Sequence, residues 1–246
     1  MATTRSFLAT MLAFLLTAPS ALADQPSPRP ADATRALQEL AAGNHRYVTG
    51  TYTHAPALHR QRQGLTAHQK PTAVVVGCSD SRVPPELVFD QGLGSLFVIR
   101  TAGNAVDDAA IASIEYAVEH LGVGLVIVLG HEHCGAVKAA LHEQEHPGKL
   151  GRLVNRLRPA LVQVPYMPGD PVHNGVHENV VHVMAQLRAT QPVLAPHIHD
   201  GHLAIVGGIY AFDTGRVTFM DHDGHAMQPT LKTEKALRTG APSPRP

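Results

Sequence analysis

Residues 72–82 have the sequence TAVVVGCSDSR, in which an uninterrupted apolar run ends in polar residues. Short continuous runs of β-branched residues are typical of strands that are buried on both faces, as in a parallel sheet covered by helices. We therefore predict a buried strand at 72–77. The Cys, Asp and Arg after it lie at the carboxyl end of that strand, where α/β proteins bind their ligands.

The pattern of this stretch alternates with helical patterns along the chain. Further strands are predicted at 96–100, 125–129 and 203–210, with a hairpin strand at 216–220. Helices are predicted at 31–48, 107–121, 134–141 and 176–188. Because strands alternate with helices, we predict an α/β fold with a mostly parallel central sheet flanked by helices.

The composition is that of a globular protein and argues against a nucleic-acid binder. Twenty Lys and Arg balance 20 Asp and Glu, and 44% of the 246 residues are hydrophobic. Nucleic-acid-binding domains normally carry a basic excess. The length suits one domain, which we place at 31–227, between a linker at 24–30 and a polar, Pro-rich tail at 228–246.

Residues 1–23 have the features of a secretory signal peptide. Arg5 precedes an apolar run at 7–18, and residues 21–23 provide the A-x-A end of such a segment. A membrane helix needs about 20 apolar residues, so a membrane anchor or a buried helix fits less well. We predict cleavage after Ala23, export to a bacterial periplasm and no membrane span in the mature chain.

Two segments carry candidate metal ligands, each placed after a predicted strand. Cys78 lies in GCSDSR, and His131 and Cys134 lie in GHEHCG. Zinc prefers thiolate and imidazole ligands, and three protein ligands leave its fourth position open, as in catalytic sites. A Cys78–Cys134 disulfide is the alternative for an exported chain. A disulfide does not require a histidine three residues before Cys134, and we favour one zinc ion per chain.

Asp80 and Arg82 follow the first cysteine closely and need a joint explanation. On a protein surface such an ion pair contributes only about 0–1 kcal/mol. Beside a metal, the guanidinium of Arg82 would hold the Asp80 carboxylate through two hydrogen bonds. That carboxylate would either accept a hydrogen bond from a metal-bound hydroxide or occupy the fourth ligand position in a closed state.

The combination of CSDSR and HxxCG resembles the metal signature of the β-class carbonic anhydrases. The resemblance runs from Ala36 to Val217 and includes FVIRTAGN at 97–104 and SIEYAVEHLGV at 113–123. It implies the fold of that family and zinc-dependent, reversible hydration of CO2 to bicarbonate and a proton by a zinc-bound hydroxide. It also implies a homodimer or tetramer in which both subunits build each pocket and the helix at 31–48 wraps around the partner.

Residue by residue, the resemblance assigns roles to positions in both segments. Cys78, His131 and Cys134 match the family's zinc ligands. Asp80 and Arg82 match the pair that orients the nucleophile and gates the metal.

The resemblance also implies a substrate pocket for CO2 and bicarbonate. The matching positions are Gln69, nine residues before the first Cys, the aromatic pair Phe97 and Tyr116, and Gly135 after the last ligand. Taken alone, the two aromatic residues would be assigned to packing. Family members regulated by bicarbonate carry Trp three residues before the first Cys, where this chain has Val75. This difference favours a plant-type, open zinc site.

Histidines are frequent elsewhere, but we predict no second metal site. They cluster around two aspartates as His197, His199 and His202 near Asp200, and His222 and His225 near Asp223. We expect these to be polar residues of turns and loops. His133, between two candidate ligands, is expected to point away from the metal.

Two other functions are open on the sequence alone. Some relatives of this fold hydrolyse CS2 or COS with the same zinc ligands. A non-catalytic exported zinc or redox-sensing protein with a labile Cys78–Cys134 bond is the other alternative, although such a protein needs neither Asp80 nor Arg82. A zinc dehydrogenase is disfavoured because no G-x-G-x-x-G motif follows a strand.

Overall fold

A six-stranded sheet forms the centre of the molecule, seen in a computed structural model that describes residues 30–54, 58–142, 144 and 146–229. The strands are β1 Ala73–Cys78, β2 Leu96–Thr101, β3 Leu125–His131, β4 Ala204–Tyr210, β5 Val217–Met220 and β6 Ala226–Met227. Their spatial order is β2-β1-β3-β4-β5-β6. The first four are parallel, and β5 and β6 add antiparallel pairs. The predicted α/β fold is therefore confirmed, and only the two-residue β6 was not predicted.

Helices cover both faces of this sheet. They are α1 Pro30–Thr49, α2 Leu58–Gly64, α3 Pro85–Val88, α4 Asp108–Leu121, α5 Gly135–Leu141, α6 Gly148–Leu157, α7 Pro171–Arg188 and α8 Leu194–His199. The four predicted helices correspond to α1, α4, α5 and α7. Of the other four, α2, α3 and α8 are too short to show the apolar period that identifies a helix in a sequence. Helix α6 does show that period, at Leu150, Leu153, Val154 and Leu157, and was not predicted.

Helix α7 begins five residues earlier than the predicted 176–188. Asp170 accepts a hydrogen bond from the backbone N–H of Val172 at 3.0 Å, and Pro171 occupies the first turn. Both features are typical of a helix start. The apolar pattern from Val176 onward marks only the part of the helix that packs on the sheet.

The central strands form a rigid base because they are buried along their whole length. Every residue of β1 and β3 is buried. One face packs against α1 through Leu37 and Leu40, and the other against α4 and α7 through Ile114 and Met184. Burial on both faces fixes the carboxyl ends of β1 and β3, where Cys78 and His131 lie.

Helix α7 crosses the sheet close to the backbone of strand β3. It packs on β3 and β4. A Cβ atom on Gly130, in β3, would lie only 2.7 Å from Cγ2 of Val180 and 3.1 Å from Cγ1 of Val176. The glycine therefore permits a close approach of the helix directly beside His131.

The predicted segments at the two chain ends lie outside the described residues, except for their inner edges. The signal peptide at 1–23, the linker at 24–30 up to its last residue and all but two residues of the tail at 228–246 fall there. They stay predictions. Among the residues that the structure describes, no helix is long and apolar enough to cross a membrane.

Asp90 ties the end of α1 to the loop that follows it. Its side chain is 2% exposed and pairs with the guanidinium of Arg46. It also accepts hydrogen bonds from Oγ1 of Thr53 at 2.9 Å and from the backbone N–H of His54 at 3.3 Å. Burial alone would raise the pKa of this carboxyl, but Arg46 and the hydrogen bonds of Thr53 and His54 lower it to about 2.

We expect the variant Asp90→Asn to reveal this contact through the pH dependence of stability. A lowered pKa in the folded chain means that the carboxylate stabilises the fold above its unfolded pKa of 3.8 and loses this effect as the pH falls to about 2. The difference in unfolding free energy between wild type and variant should shrink by about 2 kcal/mol between pH 5 and pH 2. Urea unfolding at several pH values measures it, and equal pH slopes would contradict the assignment.

Candidate active site

The three predicted metal ligands converge at the carboxyl edge of the sheet. Cys78 is the last residue of β1, His131 is the last residue of the neighbouring parallel strand β3, and Cys134 directly precedes α5. All three are buried, and their ligand atoms lie within 4.8 Å of one another. Both cysteines are free thiols, which favours the metal site over the disulfide.

His131 presents one ring nitrogen that nothing in the described chain satisfies. Its Nδ1–H donates to the carbonyl of Glu132 at 2.8 Å, because a carbonyl can only accept. In the neutral imidazole Nε2 then carries a lone pair, yet it is buried without a hydrogen-bond partner. Such a buried atom is unfavourable unless something binds it. A buried imidazole nitrogen beside two sulfurs is a donor set that fits zinc.

The two thiols have opposite acidities in the metal-free chain. The Cys134 thiol is the main cause that lowers the pKa of Cys78, with burial opposing it, and the nearby His131 ring and the backbone N–H of Gly103 lower it further. The neighbouring Cys78 thiolate and burial raise the pKa of Cys134. The chain alone thus favours a single negative charge here, and a bound cation would stabilise a second one.

Asp80 and Arg82 form the pair that the sequence predicts. Nε and Nη2 of Arg82 donate to the two oxygens of Asp80 at 2.9 Å and 2.8 Å. This pairing holds the pKa of Asp80 well below its usual range. Oδ2 of Asp80 lies 3.9 Å from the free Nε2 of His131, so the carboxylate faces the ligand group while Arg82 holds it.

Two side chains at this edge were not singled out from the sequence. The ring of Phe212 lies 4.1 Å from the guanidinium carbon of Arg82 and makes an edge contact with His131. Arg100, on β2, donates from Nε to the carbonyl of Cys78 at 2.8 Å and from Nη2 to the carbonyl of Asp80. The sequence feature that could have drawn attention to Arg100 is its position as a charged residue at the end of the apolar run at 96–100.

Arg100 should therefore fix the segment that carries Cys78 and Asp80. The variant Arg100→Lys keeps the charge but cannot donate to both carbonyls in the same fixed geometry. We expect the CO2 hydration that the resemblance implies to fall by about 10-fold or more, as is usual when a side chain that orients metal ligands is lost. Stopped-flow hydration measures the effect. The control is Arg156→Lys, whose arginine donates to the carbonyl of Val106, and an equal loss in both variants would contradict the role.

The predicted substrate residues are only partly brought together. The rings of Phe97, on β2, and Tyr116, on α4, are 6.4 Å apart, and Tyr116 is 48% exposed. Gln69 and Gly135 are exposed as well. A cavity of about 540 Å³ opens beside the loop between two ligands, but it is lined by other residues: Glu132, His133, Asp170, His173, Phe212 and Asp213.

The remaining histidines differ in part from the prediction. His197 and His199 belong to the short helix α8 rather than to a loop. They pair with Glu119 and Asp200 at 2.7 Å and 3.0 Å. His133 is exposed and lies outside the ligand group, as predicted.

A second group of possible ligands lies in the turn between β5 and β6. Asp221, Asp223 and His225 place ligand atoms within 4.8 Å of one another, and the last two residues are exposed. Oδ1 of Asp221 accepts the backbone N–H groups of Asp223 and His225. These bonds place the group in a turn, as the sequence predicted for this loop, while Oδ2 of Asp221 is buried without a hydrogen-bond partner. The absence of a second metal site stays a prediction.

Comparison with known proteins identifies the family. A family model described as carbonic anhydrase matches residues 73–217, which include all three candidate ligands. The solved structure of the β-carbonic anhydrase CcaA has a TM-score of 0.62 and 28% identity, covering 80% of this chain and 93% of that one. The chain belongs to the β-class carbonic anhydrases. A chain from the crystal structures of two tetrameric β-carbonic anhydrases of Sordaria macrospora is also similar, with a TM-score of 0.61 and 26% identity, covering 71% of this chain and 89% of that chain.

Relatives of this carbonic anhydrase occur among mycobacterial enzymes. Carbonic anhydrase 2 of Mycobacterium tuberculosis is 43% identical over 204 residues, which are 81% of this chain and 97% of the relative. The carbonic anhydrase of Mycolicibacterium smegmatis is 42% identical over 203 residues, again 81% and 97%. This carbonic anhydrase is therefore an enzyme, and CO2 hydration is the activity that its family supports.

Proposed function

We propose that this carbonic anhydrase hydrates CO2 reversibly to bicarbonate and a proton, with one zinc ion per chain held by Cys78, His131 and Cys134. The observation that carries this proposal is the buried, partnerless Nε2 of His131, with the three ligand atoms within 4.8 Å of one another. When bound, zinc would lower the pKa of water so that hydroxide is available near neutral pH.

Asp80 has the role of orienting the attacking water. Arg82 keeps its carboxylate ionised, and an ionised carboxylate accepts hydrogen bonds without donating any. Accepting one hydrogen bond from the water directs a lone pair of its oxygen toward CO2. The two bonds to Arg82 also restrain Asp80 from becoming a fourth ligand in a closed state. Pairing of this kind fits the open site that Val75 favours.

Several residues assigned to the substrate pocket are exposed in a single chain. We assign CO2 binding to Phe97 and Tyr116, a hydrogen bond to a substrate oxygen to Gln69, and an unobstructed approach to Gly135. A Cβ atom on Gly135 would meet nothing within 4 Å. The exposure of Gln69 and Tyr116 supports a pocket completed by a second subunit, in a homodimer or tetramer. Light scattering of the purified enzyme measures the mass, and a monomer with full activity would contradict this assembly.

Export completes the proposal. The apolar run at 7–18 and the A-x-A pattern at 21–23 support a signal peptide that is cleaved after Ala23. Location in the periplasm follows if the source is a bacterium with two membranes. N-terminal sequencing of the protein recovered from the periplasm tests both points, and an intact N-terminus in the cytoplasm would contradict them.

The decisive experiment is stopped-flow CO2 hydration on the mature enzyme, with zinc counted per chain in the same sample. We expect one zinc per chain and fast hydration. Full zinc occupancy with turnover of CS2 or COS and none of CO2 would instead support the sulfur-substrate relatives. Absence of zinc together with a Cys78–Cys134 disulfide would overturn the proposal.

A further inference from the structure

Asn179 is a buried polar side chain in the middle of α7, and the buried residues one turn away, Val176 and Val183, are apolar. The residue is 1% exposed. Its Nδ2 donates to the carbonyl of Gly103 at 2.9 Å, whereas its Oδ1 is buried without a hydrogen-bond partner. A half-satisfied amide is unfavourable by itself, since the desolvation of the unpaired Oδ1 offsets much of what the single hydrogen bond to Gly103 contributes to stability. The bond to Gly103 is therefore the feature to explain.

Gly103 connects this amide to the metal-binding group. Its backbone N–H donates to Sγ of Cys78 at 3.2 Å. The carbonyl held by Asn179 and the N–H that faces the sulfur belong to the two peptide groups on either side of the Gly103 Cα. Holding one of these peptide groups therefore constrains the direction of the other.

The conformation of Gly103 is one that few other residues could adopt. Its φ of 67° lies in the left-handed region. A Cβ atom would lie 2.8 Å from Cδ1 of Leu157 and 3.1 Å from the Cβ of Ala136. Glycine therefore allows this turn to lie against Leu157 and Ala136. Asn179, in α7, donates the hydrogen bond that connects the turn to that helix.

Helix α7 reaches the ligand group on two sides. Val176 and Val180 pack against Gly130, the residue before His131. Asn179, between them in sequence, reaches the turn that contacts Cys78. The same two turns of helix therefore brace the ends of both ligand-bearing strands.

We propose that Asn179 is a positioning residue for the metal-binding sulfur of Cys78, acting through Gly103. The inference rests on the proposed zinc site. The N–H of Gly103 fixes the direction of the sulfur and withdraws negative charge from it, and Asn179 keeps that N–H in place. Such outer hydrogen bonds orient metal ligands and tune metal affinity.

The test compares variants of the zinc-loaded enzyme. Asn179→Leu removes the donor and keeps the number of side-chain heavy atoms, and Asn179→Ala removes the donor together with the side chain beyond Cβ. The matched control is Val183→Ala, one turn further along α7, which removes buried packing without touching Gly103. Circular dichroism and thermal unfolding show that each variant is folded and how much stability it has lost.

Two readouts report the metal site directly. The first is the rate at which zinc passes to a colorimetric chelator, which we expect to rise about 10- to 100-fold in both Asn179 variants. The second is the sulfur-to-metal charge-transfer absorption of the cobalt-substituted enzyme, which we expect to shift. Val183→Ala should release zinc at the wild-type rate and keep the wild-type absorption.

Several outcomes would overturn the inference. They are wild-type zinc release and absorption in Asn179→Leu, the same acceleration in Val183→Ala as in the Asn179 variants, and failure of both Asn179 variants to fold, which would make Asn179 a residue of the core. Wild-type enzyme without metal would instead overturn the proposed function. Metal-loaded wild type with unaffected variants would overturn only the positioning role.

Discussion

Replacing His131 by alanine is expected to remove zinc binding and CO2 hydration together. The imidazole is the only nitrogen ligand of the group, and its Nε2 is buried without another partner. A zinc ion held by three imidazoles lowers the pKa of bound water from about 15.7 to about 7, and with two thiolates among the ligands we expect a pKa at or above that value. Without that effect the nucleophile is scarce at neutral pH, so hydration should fall by at least about 1,000-fold. Stopped-flow hydration and zinc content on the same sample measure both losses.

The control for this prediction lies two residues away. His133 is exposed, lies outside the ligand group and has a φ of 52°. Asn tolerates that backbone conformation, so His133→Asn removes an imidazole without new strain. This variant should keep zinc and activity. Zinc retained at wild-type levels in His131→Ala would contradict the ligand assignment.

Replacing Asp80 by asparagine is expected to lower activity while zinc stays bound. The amide has nearly the same shape, but it has one acceptor oxygen where the carboxylate has two. The asparagine therefore cannot accept hydrogen bonds from both Nε and Nη2 of Arg82 and also accept one from the attacking water. A positioned group that handles a proton contributes about 100- to 10,000-fold, and we expect kcat/KM to fall within that range.

The control here is Asp200→Asn, which changes an exposed aspartate paired only with nearby histidines. Its hydration rate should match wild type. Full activity in Asp80→Asn would show that the pairing with Arg82 is an ordinary surface contact. Loss of zinc in Asp80→Asn would instead assign Asp80 a part in metal binding.

The strands and the ligand group could be predicted from the sequence for related reasons. Continuous runs such as 73–76 and 125–129 have few alternatives to a buried strand, and the observed bounds differ by at most two residues. Once β1 and β3 are parallel neighbours, Cys78 and His131 must lie at the same edge. The motif spacing then brings Cys134 to that edge as well.

The contacts that residues distant in sequence make around the ligands could not be predicted. The bond from Arg100 to Cys78 spans 22 residues, and that from Asn179 to Gly103 spans 76. Such pairs depend on the crossing of elements, which no local pattern encodes. The short helix α8 was missed for a different reason, since it has six residues and one buried apolar residue, Leu194, so its periodic signal is weak. In α6, by contrast, Leu150, Leu153, Val154 and Leu157 do follow a helical period, and this local pattern could have predicted the helix.

Because α7 covers the strand that carries His131, the order of synthesis determines when the ligand group becomes enclosed. All three candidate ligands have been synthesised by residue 134, whereas α7 and β4, which cover β3, begin only at Pro171 and Ala204. A growing chain tends to fold in units from its N-terminus. The partly synthesised chain therefore exposes two thiols and an imidazole until α7 and β4 have covered β3. We therefore expect secure capture of the proposed zinc ion to be a late event, completed only after α7 and β4 have emerged.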